Sequence, residues 1–270
     1  MLPCLCSASR GMRNGKKMMG VKPGRFSCGL FLIIVSLLTV GLAQTAKGQS
    51  SPGQPPADPP ANASAPLERV LSQMDSAASS FRTTEAAVLW DQYQKVVDEH
   101  EEQKGKVYFR RSGKEIQMAA DITEPDQKYV LFTGAKVQVY QPKIEQVTAY
   151  NTGKNREAFE SFLVLGFGGR GHDMLKSFQV KYLGDEKMDA MGTAKLELVP
   201  KAANIRNNVD HIVLWIDPAR GISVQQQFFF GPSGDYRLAK YSGIKVNEKI
   251  PDAVFKLKTT DRTKFVSTQD

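Results

Sequence analysis

The sequence predicts a mainly β protein with helices (α+β): an unclosed antiparallel barrel, or curved sheet, of about eleven strands. Three observations carry this. Extended segments with period-two alternation are joined by short turns. One stretch of helical periodicity precedes them, and a helical, glycine-rich interruption splits them near the middle. A sheet whose inner face is covered by the helices buries both kinds of apolar surface most economically.

Residues 1–43 read as an export signal. Arg10, Arg13, Lys16, Lys17, Lys22 and Arg25 precede an apolar run from Phe26 to Ala43. Gly41-Leu42-Ala43 supplies a small-residue exit, with Ala46-Lys47-Gly48 as a second choice and Met18 or Met19 as alternative starts. The run is about 18 residues, close to the lower limit for crossing a bilayer, so an uncleaved anchor is the rival reading. Cys28 lacks the small-residue context of a lipidation site. The segment holds Cys4, Cys6 and Cys28, all three cysteines of the chain. A chain cut at Ala43 therefore has no disulfide and no thiolate chemistry. It keeps 30 basic against 28 acidic residues, a net charge of +2 in place of +8. The high pI thus belongs to targeting and gives no support to nucleic-acid binding.

Residues 44–66 are rich in Pro, Gly, Ser and Ala without an apolar period, the composition of a flexible linker. Residues 67–258 then suffice for one domain, and 259–270 form a C-terminal tail. Leu67, Val70, Leu71, Met74, Ala78 and Phe81 form one helical stripe, with Pro66 in its first turn. Strands are expected at 84–97, 103–111, 115–124, 128–132, 136–140 and 144–150. Ile116, Met118, Ala120 and Ile122 alternate with polar or small neighbours. Asn155 opens a short helix holding Phe159, Phe162 and Leu163, and a second short helix holds Met174, Leu175 and Phe178. Strands resume at 179–186, 193–199, 209–217, 222–230 and 235–247, and an extended piece at 253–258 closes the domain.

Motifs for catalysis are sparse. His100, His172 and His211 fall on different elements, with no HExxH pattern and no GxSxG elbow, so the chain reads as a non-enzyme without metal or cofactor. Gly166, Gly168 and Gly171 spell GxGxxG, but the pattern follows a helix where a dinucleotide site needs a strand. With Gly169, these glycines read as the hinge of a lid made by the two short helices.

The run from Gly105 to Ala149 resembles the LolA family of periplasmic outer-membrane lipoprotein carriers. Lys106-Val107-Tyr108-Phe109-Arg110-Arg111, Glu124-Pro125-Asp126, Gly134 before Val137-Gln138-Val139-Tyr140, and Pro142 before Glu145-Gln146-Val147-Thr148-Ala149 carry the likeness. Looser matches are Leu198-Val199-Pro200-Lys201 and Ile250-Pro251-Asp252-Ala253-Val254-Phe255. The resemblance implies an apolar cavity for acyl chains beneath a helical lid, in a periplasmic monomer. An inner-membrane release complex and an outer-membrane acceptor would be its partners. It also implies a lid latch at Arg111, or at Arg110 in the alternative register. This chain continues with Ser112-Gly113-Lys114-Glu115, where the family usually has proline and then an aromatic. Val107, Phe109, Ile116, Met118, Leu131 and Val139 are the lining candidates in the first half of the domain. Phe159, Phe162, Leu163, Leu214, Phe228 and Phe230 are those in the second. Core packing is the competing role for each.

Overall fold

The computed structural model describes residues 61–268, apart from 114, 135, 152–161, 163–164 and 189–190. Residues 1–43, read above as an export signal, and residues 44–60, read as linker, lie outside the described residues. Helix α1 (Ala61–Ser80) opens the described part. It takes in residues 61–66, which composition marks as linker, and so Pro66 sits inside the helix. Its Val70, Leu71, Met74 and Ala78 are buried, as the stripe predicts.

Six strands follow: β1 (Thr83–Gln94), β2 (Glu99–Ser112), β3 (Glu115–Glu124), β4 (Lys128–Thr133), β5 (Lys136–Gln141) and β6 (Gln146–Asn151). Each pairs antiparallel with the next. After the central interruption come α2 (Gly171–Ser177), β7 (Phe178–Met188) and β8 (Met191–Pro200). A one-turn helix α3 (Ala203–Arg206) leads to β9 (His211–Asp217), β10 (Ile222–Phe230) and β11 (Asp235–Val246).

The two meanders join where β1 pairs antiparallel with β11 and, with a last strand β12 (Lys264–Thr268), make one sheet in the order β12-β6-β5-β4-β3-β2-β1-β11-β10-β9-β8-β7. This last strand runs parallel to β6. It occupies the stretch expected as a tail and raises the strand number to twelve. Residues 253–258, expected to be extended, instead contain a 3-10 turn at Asp252–Phe255 that covers the convex face of β3 and β4.

The sheet curls so that one face is concave. Alternation puts Ala86, Val88 and Trp90 of β1, Val107 and Phe109 of β2, and Met118, Ala120 and Ile122 of β3 on that face. The core of β8–β10 faces the same way and packs on α1 through Val70, Leu71 and Met74. At the β1–β11 joint a register shift past Glu85 bends the ladder, which a strongly curled sheet requires.

Candidate functional site

The concave face carries most of the proposed lining residues. Val107, Phe109, Met118 and Val139 are buried in one apolar cluster, and Ile116 packs partly buried against it. Leu214 and Phe228 belong to a second cluster under α1, with Phe162 and Phe230 at its margin. Leu131 is a correction. It pairs with Gln138 across β4 and β5 and therefore points opposite to Val130, Phe132 and Val139. It packs with Ala119, Ile250 and Phe255 on the convex side, where the 3-10 turn covers it. Phe159 and Leu163 lie outside the described residues.

The segment entering α2 seals the half of this face formed by β1 to β3. Phe167 is 1% exposed and stacks on Phe109 with ring centroids 4.2 Å apart. It meets Tyr241 edge-on at 4.8 Å. A bridge from Phe167 to Ile222 and a bond from the Ser223 N–H to the Gly166 carbonyl (2.8 Å) hold it down. Burying a ring of this size is worth roughly 1.5–3 kcal/mol.

The neighbouring glycines are needed for space as well as for backbone freedom. A Cβ at Gly166 would lie 2.2 Å from the Ser223 Cβ, one at Gly168 2.3 Å from the Phe81 ring, and one at Gly171 2.5 Å from the Leu71 carbonyl. Gly166 and Gly168 also have φ of +74° and +78°, the left-handed region that glycine enters without strain. Gly169 follows between them and α2. A tightly packed clamp thus occupies the position where the motif suggests a hinge.

Arg111 ties this clamp to the helix. Its Nη2 donates to the Gly168 carbonyl at 2.7 Å and to the Ala78 carbonyl at 3.4 Å, and its Nε donates to the Phe81 carbonyl at 3.2 Å. The guanidinium lies at the C-terminal end of α1, where the free carbonyls and the helix dipole favour a cation. Asn247 completes the cap, donating to the Ser80 carbonyl at 3.1 Å and accepting from the Arg82 N–H at 2.7 Å. Arg110 points the other way, to the convex side, with its guanidinium on Gln117 and Asp252 and 4.1 Å from the centre of the Phe255 ring. Strand alternation alone separates the two arginines: Arg111 shares a face with Val107 and Phe109, and Arg110 shares one with Tyr108.

A second clasp joins α2 to α1. His172 Nδ1 lies 2.8 Å from Asp75 and Nε2 3.1 Å from Glu68, and Arg170 reaches Asp75 at 3.3 Å. Hydrogen bonds to Asp75 and Glu68 raise the His172 pKa. Burial opposes ionisation of Asp75, yet its bonds from His172 and Arg170 outweigh this and lower its pKa. No sequence motif marks this pairing, because the partners of His172 lie about a hundred residues away in sequence. Phe167 was equally hidden. Its one sequence signal is an aromatic flanked by glycines.

A separate cleft of about 520 Å³ lies between α1 and the β7–β8 hairpin. Charged Arg69, Asp185, Glu186 and Lys187 line it together with Val70 and Pro218. Among the described residues no helix is long and apolar enough to cross a membrane.

Comparison with known proteins gives distant structural similarities and one family match. An uncharacterized conserved protein from Thermus thermophilus shares 11% identity at a TM-score of 0.49, over 75% of this chain and 99% of its own. A LolA superfamily protein from Nitrosomonas europaea shares 15% at 0.36, over 71% and 97%. The lipoprotein LppX of Mycobacterium tuberculosis shares 14% at 0.43, over 69% and 98%. No curated protein matches the sequence. The model of the family described as outer membrane lipoprotein carrier protein LolA matches residues 87–258, nearly two thirds of the chain. The chain belongs to the LolA family.

Proposed function

We propose that this protein is an exported, non-catalytic carrier. It takes up the acyl chains of a lipoprotein or similar lipid on its concave face and moves them across the periplasm from the inner to the outer membrane. Family membership supports the class of cargo. The observation that carries the reading is the clamp: a concave apolar face covered by α1 and Phe167, held through Arg111 by three hydrogen bonds to backbone carbonyls. Moving an acyl chain into water costs about 0.8 kcal/mol per CH2, so a carrier must shield the chain and still release it. A few polar bonds across an apolar seam meet both needs. They close the face, and they exchange for water when it opens.

On this reading Val107, Phe109, Ile116, Met118, Val139, Leu214 and Phe228 line the opened cavity. Gly166 to Gly171 move as one piece with Phe167. The protein works as a monomer that meets a releasing complex at one membrane and an acceptor at the other. Mass spectrometry of protein purified from the periplasm should find bound lipid or lipoprotein. Protein that is always empty and also ignores an apolar fluorophore sinks the proposal.

The apolar run at residues 26–43 and the spacer after it favour one alternative, a sensor module tethered to the inner membrane on the same fold. N-terminal sequencing of the mature protein separates the two. A start near Gln44 means a diffusing carrier, and retention of residues 26–43 means a tethered module.

A further inference from the structure

The concave face is not apolar throughout. At the end far from Arg111, two cross-strand rows start polar. One runs Glu101–Gln92–Arg237–Phe228–Ile212 and the next Gln103–Trp90–Ala239–Gln226–Leu214, each across β2, β1, β11, β10 and β9. Arg237 is the unusual member. It is half-buried on the inner face, its guanidinium lies 5.1 Å from the centre of the Phe228 ring, and it makes no hydrogen bond or ion pair with a described residue. Glu101 stands two strands away and accepts from Gln103 at 3.1 Å.

Two acceptors beside it are also unmet. The Oε1 atoms of Gln92, directly opposite Arg237, and of Gln103 are buried without a hydrogen-bond partner. By contrast, the polar groups one step further in are satisfied. Tyr241 donates to Gln226 at 3.1 Å, and Gln226 donates to the Leu165 carbonyl. Unpaired buried polar groups are costly and rare, and here two buried acceptors flank a half-buried cation on adjacent strands. A phosphate or carboxylate would satisfy Arg237. A hydroxyl or N–H on the same headgroup would satisfy the glutamine oxygens.

Resting on the carrier reading, we propose that this end of the concave face receives the anionic headgroup of an amphiphile whose acyl chain lies on the adjoining apolar surface. The preferred class is an acyl lipid with one phosphate and hydroxyl donors. A neutral diacylglyceryl anchor offers no anion to Arg237. Burial pushes the Arg237 pKa down, so desolvating this cation without a counter-anion is unfavourable.

The test is competition on the purified full-length mature protein, delipidated and loaded with an apolar fluorophore. The competitors are dioleoyl phosphatidylglycerol, dioleoylglycerol, palmitate and inorganic phosphate. Phosphatidylglycerol should displace the fluorophore at concentrations lower than dioleoylglycerol by about tenfold or more, the value of a charge-assisted contact. Palmitate, which has the anion without the donors, should fall between them. Arg237→Met should bring phosphatidylglycerol and dioleoylglycerol together without weakening dioleoylglycerol, and Arg237→Lys should keep most of the difference. If Arg237→Met does not fold, Gln92→Glu places a carboxylate opposite Arg237 and should abolish the preference in the same way. Equal displacement by charged and neutral lipid in the wild type overturns this inference and leaves the carrier reading intact. Displacement by neither overturns both. Inorganic phosphate as effective as the phospholipid overturns the assignment to an amphiphile.

Discussion

Three carbonyl oxygens from two segments converge on Arg111, so its removal acts on folding as well as on closure. Read from sequence as a strand-end latch, Arg111 suggests an effect on closure more than on folding. The bonds to Ala78 and Phe81 also cap α1, which changes the expected outcome. Arg111→Leu should cost about 1.5–3 kcal/mol in denaturant unfolding, the range for bonds from a charged group to buried acceptors. Uptake of an apolar fluorophore should become faster; an unchanged uptake rate with lowered stability would leave Arg111 a cap and nothing more. A paired glycine test isolates crowding from backbone strain. Gly168 and Gly113 both have positive φ, but only Gly168 has the Phe81 ring in the way. Gly113→Ala should cost about 1–2 kcal/mol from the left-handed conformation. Gly168→Ala should cost clearly more by the same measurement, because the ring must move. The choice of Arg111 over Arg110, and the misplacement of Leu131, turn on one fact. Alternation fixes which residues share a face, but only the pairing register fixes which face is inside.

The clasp between α1 and α2 predicts a pH dependence with a definite sign. The His172 pKa is raised in the folded protein. Its contribution is therefore complete below the ordinary histidine value near 6.5 and is lost as pH rises through the higher folded value. The Asp75 pKa is lowered, so its contribution holds above the ordinary carboxylate value of 3.8 and is lost as pH falls below that. Thermal unfolding should accordingly show a stability maximum between about pH 4 and pH 6.5. A decline above that should vanish in His172→Gln. His172 is more than a third exposed, so solvent screening keeps the effect under about 1 kcal/mol. A slope that persists in His172→Gln would place the titrating group elsewhere. At this scale the sequence was readable wherever period and length agreed. Strands β3 and β10 match the segments expected from alternation, and β1 to β11 all appear near their expected places. Misses came where local pattern competes with tertiary contact. The short β12 exists because the β6 edge offers it a partner, and its own five residues carry little signal. The 3-10 turn at Asp252–Phe255 likewise forms against Leu131 and Ala119, which no local window includes.

For the whole molecule, the arrangement of two meanders joined at β1 and β11 leaves β12 and β7 as the edges of the sheet among the described residues. A chain ending at residue 259 lacks β12 and exposes the β6 ladder. Exposed ladders recruit other strands, so this variant should self-associate with rising concentration in analytical ultracentrifugation while keeping its thermal transition. Monomeric behaviour at all concentrations would show that β6 needs no cover. The overall class was legible because alternation, short turns and a single helical stripe all point to one curled sheet under helices. The polar end of the concave face was not, because Gln92, Gln103 and Arg237 are scattered over about 145 residues and become neighbours only through strand pairing.

The missing ladder between β7 and β12 has a mechanical consequence. In a closed barrel the strand number and shear set the bore, and widening it means breaking hydrogen bonds. Here, among the described residues, no ladder joins the first and last strands of the order. The circumference can grow or shrink by a change of twist alone, with every existing strand pair intact. On the carrier reading, one molecule would thus fit itself to chains of different length and number, gripping each by the same spring.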